Sequence, residues 1–430
     1  MLNILGSTKS VCQGLPRREM LQAVGGGLLG VNWFTTQQAL AANAITLQED
    51  AAPPIRAKSV IFLFLFGGPS QLETFDLKPQ AADTIRGPYK PIDSRTPGLL
   101  IGEKLPQLAN VSDKFCVVRT MSHPQNDHNA CHLIQTGHPM PPAQRGAAMV
   151  NAADIDWPAM GSVVQYLDEH DPSRPQGSLP SYIYVPNRLG HIERYDRSGQ
   201  YAGWLGKSYN ALATEIRKKD ANDNPYARPC SDEELDFRLK GLVDDPQLTI
   251  DRLDRRWSLL EQFDTQLTKH DKVAKKHGYD DIRKRAWDLV SSKQIRSAFD
   301  IRQESDSLRD RYGRHLFGQS ALLSRRLIEA GARFVTVLWD TPNGYSWDSH
   351  VHNKEVHDYL IPGLDQTFSA LITDLDERGL LDETLIVCVG EMGRTPRGNA
   401  NWGRDHWTYC FPAVLAGAGI KGGTTYGSSD

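Results

Sequence analysis

Short, uninterrupted runs of apolar residues recur along the chain and predict buried strands. The first, SVIFLFLF from Ser59 to Phe66, ends at Gly67-Gly68-Pro69 and is too short to cross a membrane. Further strands are predicted at Phe115 to Val118, Tyr182 to Val185, Phe334 to Leu338, Leu385 to Val389 and Ala413 to Leu415. Continuous apolar runs of this kind are typical of a parallel sheet covered on both faces.

Between these runs, apolar residues recur at helical spacing. One stripe, stopped at Gly379, consists of Leu360, Leu364, Phe368, Leu371 and Leu375. A second helix is predicted over Leu133 to Thr136, ending at Gly137. Strands that alternate with helices predict an α/β fold with a central, mostly parallel sheet flanked by helices.

The stretch from about residue 231 to 330 differs from the rest, because charge is dense and apolar residues recur only at helical spacing. Leu253, Trp257, Leu260 and Phe263 carry that spacing. The pattern predicts a helical insertion on the sheet. A solvated helical layer is favoured over a surface that binds a partner.

The N-terminus resembles an export signal. Arg17-Arg18 precedes an apolar stretch from Ala23 to Val31, and Ala39-Leu40-Ala41 supplies small residues for cleavage. We therefore predict a twin-arginine-type signal peptide at 1–42, a linker at 43–57, one domain at 58–430 and a periplasmic or extracellular location. The alternative, a disordered tail with a chance arginine pair, is less favoured.

Composition excludes several classes of function. The 430 residues are 40% hydrophobic and 23% charged, which is typical of one large or two medium globular domains. A net charge of −3 provides no basic field for nucleic acid, and no apolar run approaches a membrane span in the mature chain. No CxxC pair, GxSxG elbow or P-loop occurs, which excludes the sites those motifs build.

Polar clusters follow the strands or begin helices. After the first strand, the Gly67 turn leads to Glu73 and Asp76, and its amides could hold an anion or simply form a tight turn. After the second come four histidines within sixteen residues, beside Asp127: His123, His128, His132 and His138. His128 and His132 are four residues apart and are expected to share a helix face. A metal or anion site is favoured there over a surface loop.

Two later clusters complete the candidate chemistry. Asp348 with His350 or His352 follows the strand at Phe334, although His352 alone is better explained as an exposed histidine. The strand at Leu385 is followed by Glu391, Arg394, Arg404, Asp405 and His406. Because ligands bind at the carboxyl ends of strands in α/β sheets, we expect these groups to meet at one edge. Arginines beside acids and histidines suit sulfate, phosphate or carboxylate.

Several segments resemble a known family: SVIFLFLFGGPSQLETFDLKP, DHN…QTGH, LRDRYGRHLFGQS, WDSH, GEMGRTP…GRDHW and GIKGG…YGSSD. Over nearly the whole mature chain, they are similar to the secreted bacterial family called domain of unknown function 1501. That family is placed near the alkaline phosphatase and sulfatase superfamily. The resemblance implies an alkaline-phosphatase-like sheet with a metal site at its carboxyl edge. The family continues with another helix beyond Asp430, so a truncated C-terminus is expected.

Compared with that superfamily, the chain keeps some site residues and replaces others. Gly67 stands where the first strand ends in a metal-binding aspartate. Asp127 stands nine residues before Thr136-Gly137, at the usual position of the nucleophile, with Ser122 as an alternative. Glu391-Met392 stands where the superfamily has an Asp-His or Asp-Asn pair. Glu391 keeps the acid, whereas Met392 does not keep its partner. Asp348 with His350 resembles the aspartate-histidine pair, and His406 matches the later histidine.

The sequence and the resemblance together favour an exported, metal-dependent hydrolase that acts on a sulfate or phosphate ester, such as a sulfated glycan. The expected divalent metal, zinc or calcium, has as ligands Asp348, His350, Glu391 and His406. Asp127 and His128 are the expected catalytic residues, and Arg394 and Arg404 are expected to bind the substrate. The alternative is a non-catalytic binding or scaffold protein on the same fold, which the Gly67 and Asp127 replacements favour.

Overall fold

A computed structural model describes most of the chain beyond the predicted signal peptide. It covers residues 57–147, 149–173, 179–191, 195–216, 219–220, 223–237, 292–340 and 347–429. The predicted signal peptide, nearly all of the linker, and residues 238–291 of the predicted insertion lie outside the described residues, including the stripe from Leu253 to Phe263. None of the described helices is both long and apolar enough to cross a membrane.

The strands of the described chain are β1 (Ser59–Leu65), β2 (Pro91–Asp93), β3 (Leu100–Gly102), β4 (Phe115–Met121), β5 (Tyr182–Val185), β6 (Leu212–Ala213), β7 (Phe334–Trp339), β8 (Thr384–Val389), β9 (Gly393–Arg394), β10 (His406–Trp407), β11 (Phe411–Ala416) and β12 (Thr424–Tyr426). Every strand predicted from an apolar run is present. The additional strands are short and carry no apolar run that could have revealed them.

Eight strands form the central sheet, in the order β12-β4-β11-β8-β1-β7-β5-β6. All neighbouring pairs are parallel except those of β11, which runs antiparallel to both β4 and β8. Two small antiparallel hairpins, β2 with β3 and β9 with β10, lie outside this sheet. The predicted α/β class with a mostly parallel central sheet is confirmed.

The helices of the described chain are α1 (Asp83–Arg86), α2 (Pro106–Asn110), α3 (Ala130–Thr136), α4 (Met160–His170), α5 (Lys293–Phe299), α6 (Asp306–Tyr312), α7 (Leu316–Glu329) and α8 (Ile361–Glu377). A π-helical turn at Val356–Leu360 leads into α8. Short 3-10 turns occur at Gln71–Glu73, Ser112–Lys114, Pro142–Gln144, Gly203–Leu205, Lys207–Tyr209 and Ile301–Gln303. The helix predicted to end at Gly137 does so, and that glycine has φ 73°.

The central sheet buries side chains on both faces, as its apolar runs predict. Along β1, Ile61, Leu63 and Leu65 enter a core that includes the inner sides of α7 and α8. The alternate residues Phe62 and Phe64 enter a second core on the opposite face. α7 lies within the predicted insertion at 231–330, and most of it is buried against the sheet. The prediction of a solvated helical layer is therefore wrong for this helix.

Parallel pairing determines where the site can form. β1, β4, β7 and β8 all run in the same direction, so their carboxyl ends lie at one edge of the sheet. The chain segments that leave this edge carry Gly67 after β1, His128 after β4, Asp348 after β7 and Glu391 after β8. Because the four strands share one direction, these groups are expected to meet at one edge.

One buried carboxylate holds two helices together. Asp365 on α8 accepts hydrogen bonds from the backbone amides of Leu108 (2.7 Å) and Gln107 (3.1 Å) in α2. Burial raises the pKa of Asp365 to about 6, against the effect of these amides. The side chain therefore caps a helix other than its own.

We expect Asp365→Ala to lower the free energy of unfolding by about 1–2 kcal/mol, because the amides at the start of α2 lose a buried acceptor. Urea denaturation followed by circular dichroism measures the change. Asp376 on the same helix is a matched control, since its salt bridge with Lys114 is partly exposed and Asp376→Ala should cost less than about 0.5 kcal/mol. Equal losses of unfolding free energy in the two variants would contradict the role of Asp365 as a cap of α2.

Candidate metal centre

Glu391 is the most buried acid of the site, with 0% exposure. Both of its carboxylate oxygens accept the main-chain N–H of Gly67, at 2.9 and 3.0 Å. Gly67 has φ 112°, in a region that side chains other than glycine rarely adopt. The residue that lacks a ligand side chain therefore contributes through its backbone.

His128 bridges two carboxylates. Its Nδ1 lies 2.7 Å from Glu391 Oε1, and its Nε2 lies 3.0 Å from Asp348 Oδ2. Burial lowers the pKa of His128, but the hydrogen bonds with Asp348 and Glu391 outweigh it and raise the pKa to about 9. Without a metal, His128 is therefore an imidazolium at neutral pH.

Asp348 is the centre of the cluster. While Oδ2 faces His128, Oδ1 lies 2.6 Å from Arg394 Nη2, 3.0 Å from His350 Nε2 and 3.3 Å from His406 Nε2. Burial raises the pKa of Asp348, but the hydrogen bonds from His128 and His406 and the charge of Arg394 hold it well below its usual range. Asp348 is thus an anion at any pH of interest.

Two imidazoles face each other beside this carboxylate. His350 Nε2 and His406 Nε2 are 3.0 Å apart, so at least one of them carries no proton. His350 Nδ1 lies 2.8 Å from Asp405 Oδ1, and His406 Nδ1 lies 3.3 Å from the carbonyl oxygen of Asn126. Hydrogen bonds at Nδ1 leave both Nε2 atoms directed at Asp348.

The cluster fits a small divalent metal ion. One ligand atom from each of His128, Asp348 and His406 lies within 4.8 Å of the other two. His128 Nε2 lies 3.0 Å from Asp348 Oδ2, and His406 Nε2 lies 3.3 Å from Asp348 Oδ1. Each separation is close to the spacing of about 3.3 Å between two ligands of one tetrahedral zinc ion, although the two imidazoles face different oxygens of the carboxylate. Imidazole with carboxylate suits zinc better than calcium, which prefers oxygen ligands.

The predicted metal ligands are only partly brought together. Asp348, His350 and His406 meet at the cluster, whereas Glu391 lies behind His128 and contacts the imidazole at Nδ1. A carboxylate in that place fixes the tautomer and orientation of a ligating histidine. The geometry therefore favours an orienting role for Glu391 and a ligand role for His128. The individual assignments remain predictions.

The two predicted substrate-binding arginines are both wholly buried. Arg394 reaches the cluster through Asp348, and its other donors bind the carbonyl oxygens of Gly67, Gly68 and Arg404. Arg404 instead pairs with the buried carboxylate of Glu73, 2.7 Å away, and with backbone carbonyls. The geometry therefore favours Arg394 as an internal counterion and Arg404 as a support for its loop.

Asp127 and His132 of the second cluster lie apart from this chemistry. Asp127 Oδ1 accepts the backbone N–H of Asn129 (2.8 Å), a local contact before α3. His128 precedes the first residue of α3, so the shared helix face predicted for His128 and His132 is wrong. His132 is buried, with Nδ1 2.7 Å from Ser198 Oγ.

Two further residues support the site: Phe66, which sequence reasoning missed, and His123, which it named only as a member of the histidine cluster. His123 Nε2 lies 2.6 Å from the carbonyl oxygen of Glu391 and so supports the main chain of that residue. The ring of Phe66 lies 5.2 Å from that of His128 and closes one side of the imidazole. Neither the His123 contact nor the Phe66 contact follows a sequence motif. The position of these residues near the ends of strands was the only signal that could have indicated them.

Residues 57–430 match the model of a family described as "Protein of unknown function (DUF1501)". The chain belongs to this family. The resemblance that the sequence motifs indicate is therefore confirmed. A search of curated proteins finds no match.

Solved structures give distant matches. Ps i-CgsB is 9% identical, with 86% of this chain and 68% of that chain covered and a TM-score of 0.36. The PsFucS1 sulfatase from Pseudoalteromonas sp. is 11% identical, with coverages of 86% and 64% and a TM-score of 0.36. A protein in the alkaline phosphatase superfamily from Vibrio parahaemolyticus is 9% identical, with coverages of 92% and 72% and a TM-score of 0.33. Similarity this low carries no information on activity.

The raised pKa of His128 predicts a pH dependence of stability. A histidine whose pKa rises from 6.5 in the unfolded chain to about 9 stabilises the metal-free fold fully below pH 6.5. That stabilisation is lost as the pH rises to about 9. We expect the metal-free protein to lose on the order of 3 kcal/mol over this window.

Chemical denaturation between pH 6 and 9.5, with chelator present, measures the effect. His128→Gln cannot titrate, so it should be less stable at pH 6 and should show a flatter profile. Parallel profiles for the two proteins would rule out the bridged imidazolium.

Proposed function

We propose that this protein hydrolyses a sulfate or phosphate ester with a divalent metal ion held by His128, Asp348 and His406. The observation that carries the proposal is the convergence of these side chains on one point at the carboxyl edge of the sheet. When bound there, the metal would supply a Lewis acid for an ester oxygen and would lower the pKa of a bound water.

Charge balance at the cluster supports an anionic substrate. In the metal-free protein, the negative charges of Asp348 and Glu391 are balanced by Arg394 and the protonated His128. A ligating imidazole must be neutral, so a divalent cation replaces the proton of His128. The charge of these groups then rises from zero to one positive charge, which favours an anionic ester.

His350 is the residue best placed to move a proton. Its side chain is 39% exposed, and its Nδ1 faces the carboxylate of Asp405, which is 78% exposed. This pairing fixes the orientation of the ring. In the proposed reaction, water adds to the sulfur or phosphorus and the ester bond breaks. His350 donates a proton to the departing alkoxide and regains one from solvent, which takes up the proton that the attacking water loses.

We further propose that the protein is exported and that its ester is carried by a glycan. The arginine pair, apolar stretch and Ala-x-Ala site within residues 1–42 support export. Sulfated glycans are abundant outside cells and would meet an exported hydrolase. The exposure of His350 and Asp405 leaves this side of the cluster open to solvent and therefore to a substrate.

A non-catalytic binding protein is the second candidate, and one observation favours it. No hydrogen bond from a serine, threonine or cysteine reaches His128 or His406 within the described ranges. A covalent enzyme intermediate on such a nucleophile therefore has no support, and hydrolysis would require direct attack by water. The same cluster could instead bind a metal and an anion without turnover.

Metal analysis combined with an ester panel separates these functions. We expect the purified protein to hold about one divalent ion per chain and to hydrolyse 4-nitrophenyl sulfate or 4-nitrophenyl phosphate. Asp348→Asn and His406→Ala should each lower kcat/KM at least a hundredfold and release the metal. Asp376→Asn, a surface substitution on α8, is the control.

Bound metal without turnover on any ester would favour the binding protein. A protein that binds no metal under these conditions would overturn both functions.

The position of Glu391 behind His128 gives a further prediction. Glu391→Gln keeps an oxygen acceptor for Gly67 N–H but removes the charge that orients His128. Loss of such a supporting carboxylate should weaken metal binding about 10–100-fold. Competition with a chromogenic chelator measures this change. Glu383, at the opposite end of β8, is a matched control, and Glu383→Gln should bind metal normally. Equal affinities in the two variants would exclude the orienting role.

A further inference from the structure

Two tryptophans on the loops beyond α3 are displayed to solvent. Trp157 is 37% exposed and Trp204 is 56% exposed, whereas Trp339 and Trp347 are buried in the core. The two exposed rings meet edge to face with centroids 5.9 Å apart. Trp157 also stacks on His138, at 4.0 Å and an interplanar angle of 12°. We call these three side chains, His138, Trp157 and Trp204, the aromatic platform.

The aromatic platform is held by a buried support. Asp156, with 1% exposure, precedes Trp157 in the chain. Its carboxylate accepts hydrogen bonds from Gln144 Nε2 (2.8 Å), the Ala153 amide (3.0 Å) and Ser198 Oγ (2.8 Å). Its carbonyl oxygen accepts the amide N–H of Trp204 (3.3 Å). One residue therefore fixes the backbone of both tryptophans.

Glycine at position 203 makes this arrangement possible. Gly203 has φ 49°, and a Cβ there would collide with the carbonyl oxygen of Asp156. The loop before Trp204 can approach Asp156 this closely only without a side chain. Rings fixed in advance lose little conformational freedom when a ligand binds. The exposure of both indoles is thus built into the fold.

The aromatic platform is connected to the metal centre through intervening residues. Ser198 Oγ, which binds Asp156, also lies 2.7 Å from His132 Nδ1. Arg197, the residue before Ser198, has its guanidinium 4.8 Å from the centre of the Phe66 ring, which lies 5.2 Å from the ring of His128. The metal ligand is therefore linked to Trp157 through Phe66, Arg197, Ser198 and Asp156. A polymer bound at the centre could extend to the platform.

The exposed area indicates what kind of ligand fits. At 37% and 56% exposure, the two indoles present roughly 200 Å², given about 250 Å² for a whole tryptophan. A specific protein partner needs about 800 Å² on each side, so the platform alone is too small for one. Flat indole faces match the C–H face of a pyranose ring in both size and polarity.

We propose that the aromatic platform binds pyranose rings of the glycan chain whose ester the metal centre hydrolyses. This inference rests on the proposed function for the identity of the ester. It adds a subsite that recognises the sugar backbone at a distance from the reacting group. The platform thereby selects polymers over small esters.

Affinity electrophoresis through gels that contain dextran sulfate, chondroitin sulfate or unsulfated dextran tests the proposal. All variants are made in a His406→Ala background, so the measurement needs neither metal nor turnover. We expect at least one of these polymers to retard the protein. Trp157→Ala and Trp204→Ala should each weaken that binding roughly tenfold. Tyr426→Ala, which removes an aromatic residue that is 69% exposed on β12, should bind as the parent does.

The outcomes are distinct. Loss of binding in the tryptophan variants alone supports the subsite even if no ester is hydrolysed, in which case only the proposed function fails. Equal binding by all variants, or no retardation by any of the three polymers, would overturn the subsite. A change of sedimentation coefficient when Trp157→Ala and Trp204→Ala are combined would show instead that the platform is a protein interface.

Discussion

The hydrogen bonds between the Gly67 amide and the Glu391 carboxylate are the constraint on which the rest of the site depends. They join the ends of two adjacent parallel strands, β1 and β8, and bury a carboxylate at the carboxyl edge of the sheet. That carboxylate then fixes His128, and His128 in turn contacts Asp348. A side chain at position 67 would require a backbone conformation that only glycine adopts readily.

Buried arginines balance the charge that this arrangement creates. Arg394 neutralises Asp348 from inside the protein, and Arg404 neutralises Glu73 beneath the loop that carries His406. Such pairs contribute little net stability, because desolvation offsets much of their attraction, but removing one partner leaves an unpaired buried charge. Arginines close to acids in a sequence therefore do not by themselves indicate a substrate-binding surface. Here their guanidinium groups are already occupied.

Much of the fold could be predicted, because buried parallel strands leave long apolar runs such as Ser59 to Phe66. Strand direction leaves no such pattern, so the antiparallel β11 could not be foreseen. Similarly, parallel order predicts that Asp348, His350 and His406 meet at one edge. The contact of Glu391 with His128 and the pairing of Arg404 with Glu73 depend on side-chain packing across hundreds of residues, which spacing along the chain does not encode.

X-ray absorption spectroscopy of the zinc-loaded protein tests the central claim, that His128, Asp348 and His406 form a metal site. We expect a shell of nitrogen and oxygen at about 2.0–2.1 Å, with outer-shell scattering from two imidazoles. His406→Ala should remove one imidazole from that pattern, while His132→Ala should leave it unchanged. A shell made only of water oxygens, or an unchanged imidazole number in His406→Ala, would contradict the claim.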